Sequence, residues 1–189
     1  MKWLRLLGSA RVPEPQDDAT FERIVLPHLD SAHNLARWLV RDASLAEDVV
    51  QDAMLRALSY FATFRGGDAR AWLLQIVRNA AYAALASRRK RAETALDGEG
   101  DDGEGAVLNV PDQADDPEAA LTRHQDLQLL GQALAALPCE LRECLVLREL
   151  EGCSYKEIAR VTGMPIGTVM SRLWRARQAL MGQSKGNEA

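Results

Sequence analysis

A chain of 189 residues with 47% apolar and 26% charged residues has the composition of an ordinary soluble protein, long enough for one medium core or two small ones. Three cysteines, Cys139, Cys144 and Cys153, are odd in number and lack CxxC spacing, which argues against a disulfide framework and for a reducing cytoplasm. The net charge of −4 conceals a division: ten acidic and no basic residues lie between Glu93 and Glu118, so the remainder carries +6. Two basic parts joined by an acidic stretch point to nucleic-acid contact outside that stretch.

The first ten residues contain a short apolar run broken by Arg5, too short for a signal-peptide core. No segment approaches the roughly 20 apolar residues of a membrane span, and the expected location is the cytoplasm. Residues 1–17, with Pro13 and Pro15, are expected to be loosely ordered. A helical pattern begins near Asp18, meets Pro27, and continues through Leu29, Ala32, Leu35, Ala36 and Leu39 at spacings of three and four. Arg41 to Ser44 reads as a loop, with Ser44 and Glu47 forming a capping box for a helix over 45–60. That helix buries Val49, Ala53 and Ala57 and shows Glu47, Asp48, Gln51 and Asp52 on its other side. Such a face is either simply solvated or a docking surface for a basic partner, since complementary charge sets orientation and on-rate.

Gly66 and Gly67 then form a loop after Phe64-Arg65, and Asp68 caps a long helix over 69–91. Trp72, Leu73, Ile76, Val77, Ala80 and Ala84 are its expected buried side, with Arg78, Asn79 and Tyr82 partly exposed. Arg88, Arg89, Lys90 and Arg91 close it; cations favour a helix C-terminus, but four in a row also suit a phosphate backbone. The Gly-rich acidic linker follows, containing a small apolar patch at Val107, Leu108, Val110 and Pro111. Asp116-Pro117 starts the next helix, whose apolar side is Leu121, Leu127, Leu130, Leu134 and Leu137. After Pro138, a helix over 139–151 buries Leu141, Leu145, Val146 and Leu150. A zinc site using His124 and the cysteines lacks ligand spacing, and buried structural thiols are the better reading.

The last helical pair carries the most information. Ser154 and Glu157 form a capping box, Ile158, Ala159 and Val161 face inward, and Gly163 with Pro165 ends the helix. A second helix is under way by Gly167-Thr168 and places Thr168, Ser171, Arg172 and Arg175 three or four apart on one side. The apolar pattern alone fits any αα-hairpin; the row of hydroxyls and arginines fits a helix-turn-helix that contacts phosphates and base edges.

Taken in order, these stretches resemble the extracytoplasmic-function group of bacterial RNA polymerase sigma factors over roughly 18–91 and 121–181. The resemblance is carried by Ala46-Glu-Asp-Val-Val-Gln-Asp52, Phe64-Arg-Gly, Ala71-Trp-Leu-Leu-Gln-Ile-Val-Arg-Asn79, Leu137-Pro, Arg148-Glu-Leu-Glu-Gly and Gly167 to Arg177. It implies an all-α protein of two small helical domains joined by a flexible acidic linker, the second a four-helix domain with the helix-turn-helix. The expected boundaries are a flexible N-terminus at 1–17, region 2 at 18–91, the linker at 92–116, region 4 at 117–182 and a flexible tail at 183–189.

The resemblance further implies that Asp48, Gln51 and Asp52 dock on the clamp helices of the polymerase's largest subunit, and that region 4 meets the flap of the second largest. Phe64, Arg65 and Asn79 would hold and read a base flipped from the −10 element, with Arg88, Arg89, Lys90 and Arg91 on nearby phosphates. Thr168, Ser171, Arg172, Trp174 and Arg175 would lie in the −35 major groove. The linker would thread the RNA-exit path, and an anti-sigma factor would control the whole. Ala81, Ala83, Ala84 and Ala86 stand where many members of the resembled group are more polar. Trp72 lies on the apolar stripe and reads as core rather than as a strand-separating wedge. No nucleophile–base pair, phosphate loop or metal spacing is present, so neither an enzyme nor a cofactor is expected. A sigma mimic that titrates an anti-sigma factor, or a stand-alone repressor, would lack the base-reading or the core-docking residues respectively.

Overall fold

The computed structural model of the chain describes residues 15–94 and 129–186, with side chains described over 20–94 and 129–182. The expectations for Val107, Leu108, Val110, Pro111, Asp116, Leu121, His124 and Leu127 lie outside the described residues, as do most of the linker and the N-terminal segment before Pro15. All regular structure among the described residues is helical. The first helix, α1, spans Pro15–Val25. Pro27 lacks the donor needed to continue the ladder, and the chain passes through a 3-10 turn, Leu26–His28, into α2 at Leu29–Val40. Arg41 ends α2 in the left-handed region at φ 59°, an unusual place for a side-chain-bearing residue.

That reversal overturns the expected capping of the next helix. Asp42, in extended backbone, is the N-cap of α3 (Ala43–Tyr60), and its Oδ1 accepts from the Leu45 N–H at 2.9 Å. Ser44 therefore lies inside the first turn and makes no capping box with Glu47. Both residues carry capping chemistry, and the early turn at Arg41 decides for Asp42. At α4 (Ala69–Thr94) the expected cap is present: Asp68 Oδ1 accepts from the Ala71 N–H at 2.9 Å. The helix runs three residues beyond its expected end at 91.

In the C-terminal half, α5 is helical over its described residues 129–136. Next, α6 (Cys139–Leu145) widens into a π turn, Val146–Leu150, closed by Gly152 at φ 64°. Leu150, expected in the core, is 39% exposed because the wide turn rotates it outward. Both halves of the capping box on α7 (Tyr155–Thr162) form, and Gly163 at φ 71° ends it. The last helix, α8, covers Ile166–Gly186 and so continues past the expected domain end at 182.

Helices α2, α3 and α4 pack on one another, and α8 packs on both α6 and α7; α4 also packs on α7, and α2 on α6. One apolar cluster consequently runs through both halves, with Leu35, Leu39, Leu73, Leu74 and Val77 from the first and Leu147, Ile158, Val161 and Leu173 from the second. Full burial of each such side chain contributes about 1.5–3 kcal/mol. The buried side of α4 is accordingly wider than its expected stripe: Ala71, Leu74 and Ala81 are buried too. A helix packed on two sides has no need of a single amphipathic face.

Candidate nucleic-acid interface

In the helix-turn-helix, Val169, Leu173 and Ala176 pin α8 to the core and leave the opposite side open. Ser171, Trp174 and Arg175 are exposed, with Trp174 64% exposed. Arg175 makes no ion pair or hydrogen bond among the described residues. Thr168 is half-buried, and its carbonyl accepts the Ser171 hydroxyl at 2.9 Å. Arg172 differs from its neighbours: its side chain is only 17% exposed and pairs with Glu140 of α6 at 2.7 Å. The open face therefore holds an indole, a hydroxyl and one unpaired guanidinium.

The N-terminal half offers a second polar surface. Phe64 is half-buried, its ring 5.0 Å from that of Trp72 and 6.1 Å from Phe61, while Arg65 beside it is exposed. Trp72 is thus part of an aromatic cluster that holds the loop, rather than a free wedge. Gly66 and Gly67 adopt φ of 83° and 102°, which side-chain-bearing residues rarely do, and turn the chain into the Asp68 cap. Asn79 is exposed midway along α4.

Of the four terminal cations, Arg88 meets Asp42 at 3.3 Å and Arg89 meets Glu93 at 2.9 Å. Lys90 and Arg91 are exposed and form no ion pair among the described residues. On α3, Asp48 and Gln51 are exposed, whereas Asp52 is half-exposed and pairs with Arg56 at 2.9 Å. Exposed Leu55, one turn after Gln51, adds an apolar contact to this face. An open cleft of about 420 Å³ between α3 and α4, lined by Asp42, Asp48, Arg88 and Arg91, brings the acidic face and the basic helix end together.

Between the two halves lies a polar seam that the sequence did not announce. Arg70 Nη2 donates to the carbonyl oxygen and to Oε2 of Glu151, each at 2.6 Å, and its Nε donates to Ser31 Oγ at 3.2 Å. Asn34 Nδ2 donates to the other carboxylate oxygen of Glu151. Arg78 pairs with Glu143, a carboxylate with no exposed surface, and the Tyr82 hydroxyl donates to Glu143 Oε2 at 3.2 Å. The Arg78 guanidinium also lies 4.6 Å from the centre of the Tyr82 ring, a favourable cation–π contact.

Burial pushes the Glu143 carboxyl up, partly offset by the hydrogen bond and charge of Arg78. Burial likewise raises the Tyr82 phenol, helped by the Glu143 charge. Arg160 of α7 reaches Asp68 at 3.3 Å. Arg142 is buried and donates to the carbonyls of Ala135 at 2.9 Å, Leu137 at 3.3 Å and Leu39 at 3.5 Å, so it ties the ends of α5 and α2. Burial lowers its pKa. Charged residues read as solvent-facing in a sequence, and these partners are 65 and 81 residues apart, so no local pattern could have paired them.

Among the described residues there is no cluster of metal-ligating side chains and no helix long and apolar enough to cross a membrane. The family model for sigma-70 region 2 matches residues 24–91, and that for sigma-70 region 4 matches 127–180. The chain is 37% identical to the RNA polymerase sigma-H factor of Pseudomonas aeruginosa over 169 residues, covering 87% of this chain and 86% of that one. It is 31% identical to the ECF RNA polymerase sigma-E factor of Escherichia coli over the same shares. A solved relative is the Bartonella quintana sigma factor RpoE in complex with the anti-sigma factor NepR, at a TM-score of 0.69 and 32% identity over 88% of this chain and 97% of that one. CnrH, solved with the cytosolic domain of CnrY, shares the fold at a TM-score of 0.59 and 23% identity over 89% and 90%. With two helical regions in the expected order, an open helix-turn-helix and relatives matched along most of their length, the chain belongs to the extracytoplasmic-function family of RNA polymerase sigma factors.

Proposed function

We propose that this sigma factor positions core polymerase with two separate readers, α8 on the −35 element and the Phe64 loop with Asn79 on the −10 element. The observation that carries the reading is the open face of α8, where Ser171, Trp174 and the unpaired Arg175 are presented while Val169, Leu173 and Ala176 are buried. An unpaired guanidinium on a helix fit for the major groove is suited to bidentate contact with guanine. Arg172, already paired with Glu140, acts in this reading as a support for α8 or a phosphate contact, and Thr168 borders the groove. In the N-terminal half, Phe64 and Arg65 frame the pocket for a flipped base. Lys90 and Arg91, with Arg88 and Arg89 beside them, track the adjoining phosphates.

Asp48, Gln51 and Asp52 dock on the polymerase clamp helices, where their charge favours a basic partner. Region 4 meets the flap of the second largest subunit. The protein is a specificity subunit without chemistry of its own, works in the cytoplasm and is held in check by an anti-sigma factor, as one solved relative is found with such a partner. Two weak readers tethered on one polymerase gain effective concentration, so neither needs high affinity alone. Run-off transcription with purified core polymerase on genomic promoter fragments tests the reading. Promoter-specific transcripts that depend on the added chain are expected, and none from any fragment would refute it.

A further inference from the structure

The seam between the halves runs beside the stretch of α4 to which the −10 reading is assigned, leaving Asn79 itself exposed. Arg78 immediately precedes Asn79, Tyr82 follows it by one turn, and Arg70 stands just after the Asp68 cap that closes the Phe64 loop. Each of these three side chains points a donor at a carboxylate of the C-terminal half, Glu143 or Glu151. Arg70 is 29% exposed and Arg78 20%, although neither is an apolar side chain that packing would have to hide.

We infer that Arg70, Arg78 and Tyr82 are further promoter-contacting residues, and that Glu143 and Glu151 occupy them in the free chain as surrogates for DNA phosphates. The inference rests on the sigma-factor reading of α4 and adds residues to it. Guanidinium binds carboxylate and phosphate through the same pair of parallel N–H groups, so one set of donors serves both partners. A buried ion pair stabilises an interface no better than well-packed apolar residues do. An apolar seam, however, would leave a sticky patch on each half whenever they separated. Arginines and carboxylates can part into water or exchange partners, as the more polar interfaces between movable domains do. Closure thus hides the donors, and separation on polymerase hands them to the non-template strand beside Asn79.

The test compares two double variants of the full-length chain, Glu143→Gln with Glu151→Gln and Arg70→Gln with Arg78→Gln. Each is assembled with core polymerase and titrated with a promoter fragment that the wild-type holoenzyme transcribes, at several salt concentrations. A purely structural seam predicts the same direction of change for both, since each breaks the same pairs. The exchange of partners predicts opposite signs. The glutamine-for-glutamate chain should bind at least as tightly as wild type. The glutamine-for-arginine chain should bind roughly fivefold more weakly per arginine at about 0.1 M salt, its salt slope shallower by about 0.7 for each arginine replaced, as single-strand phosphate contacts require. Free of polymerase, the glutamine-for-glutamate chain should also bind a mixed-sequence 25-base-pair duplex more tightly than wild type does. Should the arginine variants misfold, as far-UV circular dichroism would reveal, Arg70→Lys with Arg78→Lys keeps the charge and should recover most of the affinity and slope. Equal shifts of the same sign in both variants, or an unchanged salt slope after arginine loss, overturn the inference while leaving wild-type transcription intact. A wild-type chain that initiates on no fragment instead overturns the underlying sigma reading, and this inference with it.

Discussion

Glu143→Ala offers the sharpest test of the closed arrangement. The Glu143 side chain has no exposed surface and takes hydrogen bonds from Arg78 and Tyr82, so truncation leaves a guanidinium and a phenol facing a void. Removing one partner of a buried ion pair costs about 3–5 kcal/mol. Arg78 retains 20% exposure and can partly rehydrate, which places the expected loss near the lower end, about 3 kcal/mol. With a urea dependence of about 2 kcal/mol per molar, the midpoint should fall by about 1.5 M. Glu149→Ala is the control: Glu149 meets Arg177 at 2.7 Å with both side chains about half exposed, and such pairs contribute at most about 1 kcal/mol. Arg78→Met combined with Glu143→Leu removes both charges together and should restore stability to within about 1 kcal/mol of wild type. The assay is equilibrium urea unfolding of the full chain, followed by circular dichroism and tryptophan fluorescence. A loss for Glu143→Ala no larger than that for Glu149→Ala would refute a carboxylate buried between the two halves.

Ser154→Ala removes one arm of the capping box on α7 and should cost about 1 kcal/mol of stability in the same unfolding assay. Arg175→Ala should weaken binding to the −35 element by about 1–3 kcal/mol in holoenzyme titrations, with relaxed preference at one base pair; an unchanged preference removes Arg175 from the reading face. Burial pushes the Cys153 and Cys144 thiols up to about 11, so at pH 7.5 both should react slowly with iodoacetamide in the free chain. Cys153 lies at the seam, its sulfur 3.8 Å from Arg70 Nη1, and Cys144 is fully buried next to Glu143. Mass spectrometry should find Cys153 accelerated in the Glu143→Gln, Glu151→Gln chain; an unchanged rate at Cys153 would argue against separation of the halves.

The local sequence determined the ends and types of most elements, because capping and turn chemistry act over three or four residues. Ser154 with Glu157, Asp68, and Gly163 behave as their neighbours dictate. Where two caps competed, at Asp42 and Ser44, the backbone reversal at Arg41 decided, and nothing in the residue types foretold a left-handed arginine. The open face of α8 was legible in its spacing, but the inward turn of Arg172 was not, since its partner Glu140 belongs to another helix. The same reason hid the second buried side of α4, which includes Ala71, Leu74 and Ala81: the helix packs on α7 as well as on α2 and α3, beyond the reach of helical periodicity. Arg70, Arg78, Glu143 and Glu151 show the limit most clearly. A charged residue is coded for solvent by default, and only the fold, by bringing α4 against α6 and α7, supplies the opposite charge that makes burial tolerable. The sequence by itself thus determined that this chain has a helix-turn-helix and a separate basic, aromatic-edged helix. The tertiary structure alone decided that the two halves close on one another through the arginines of that helix.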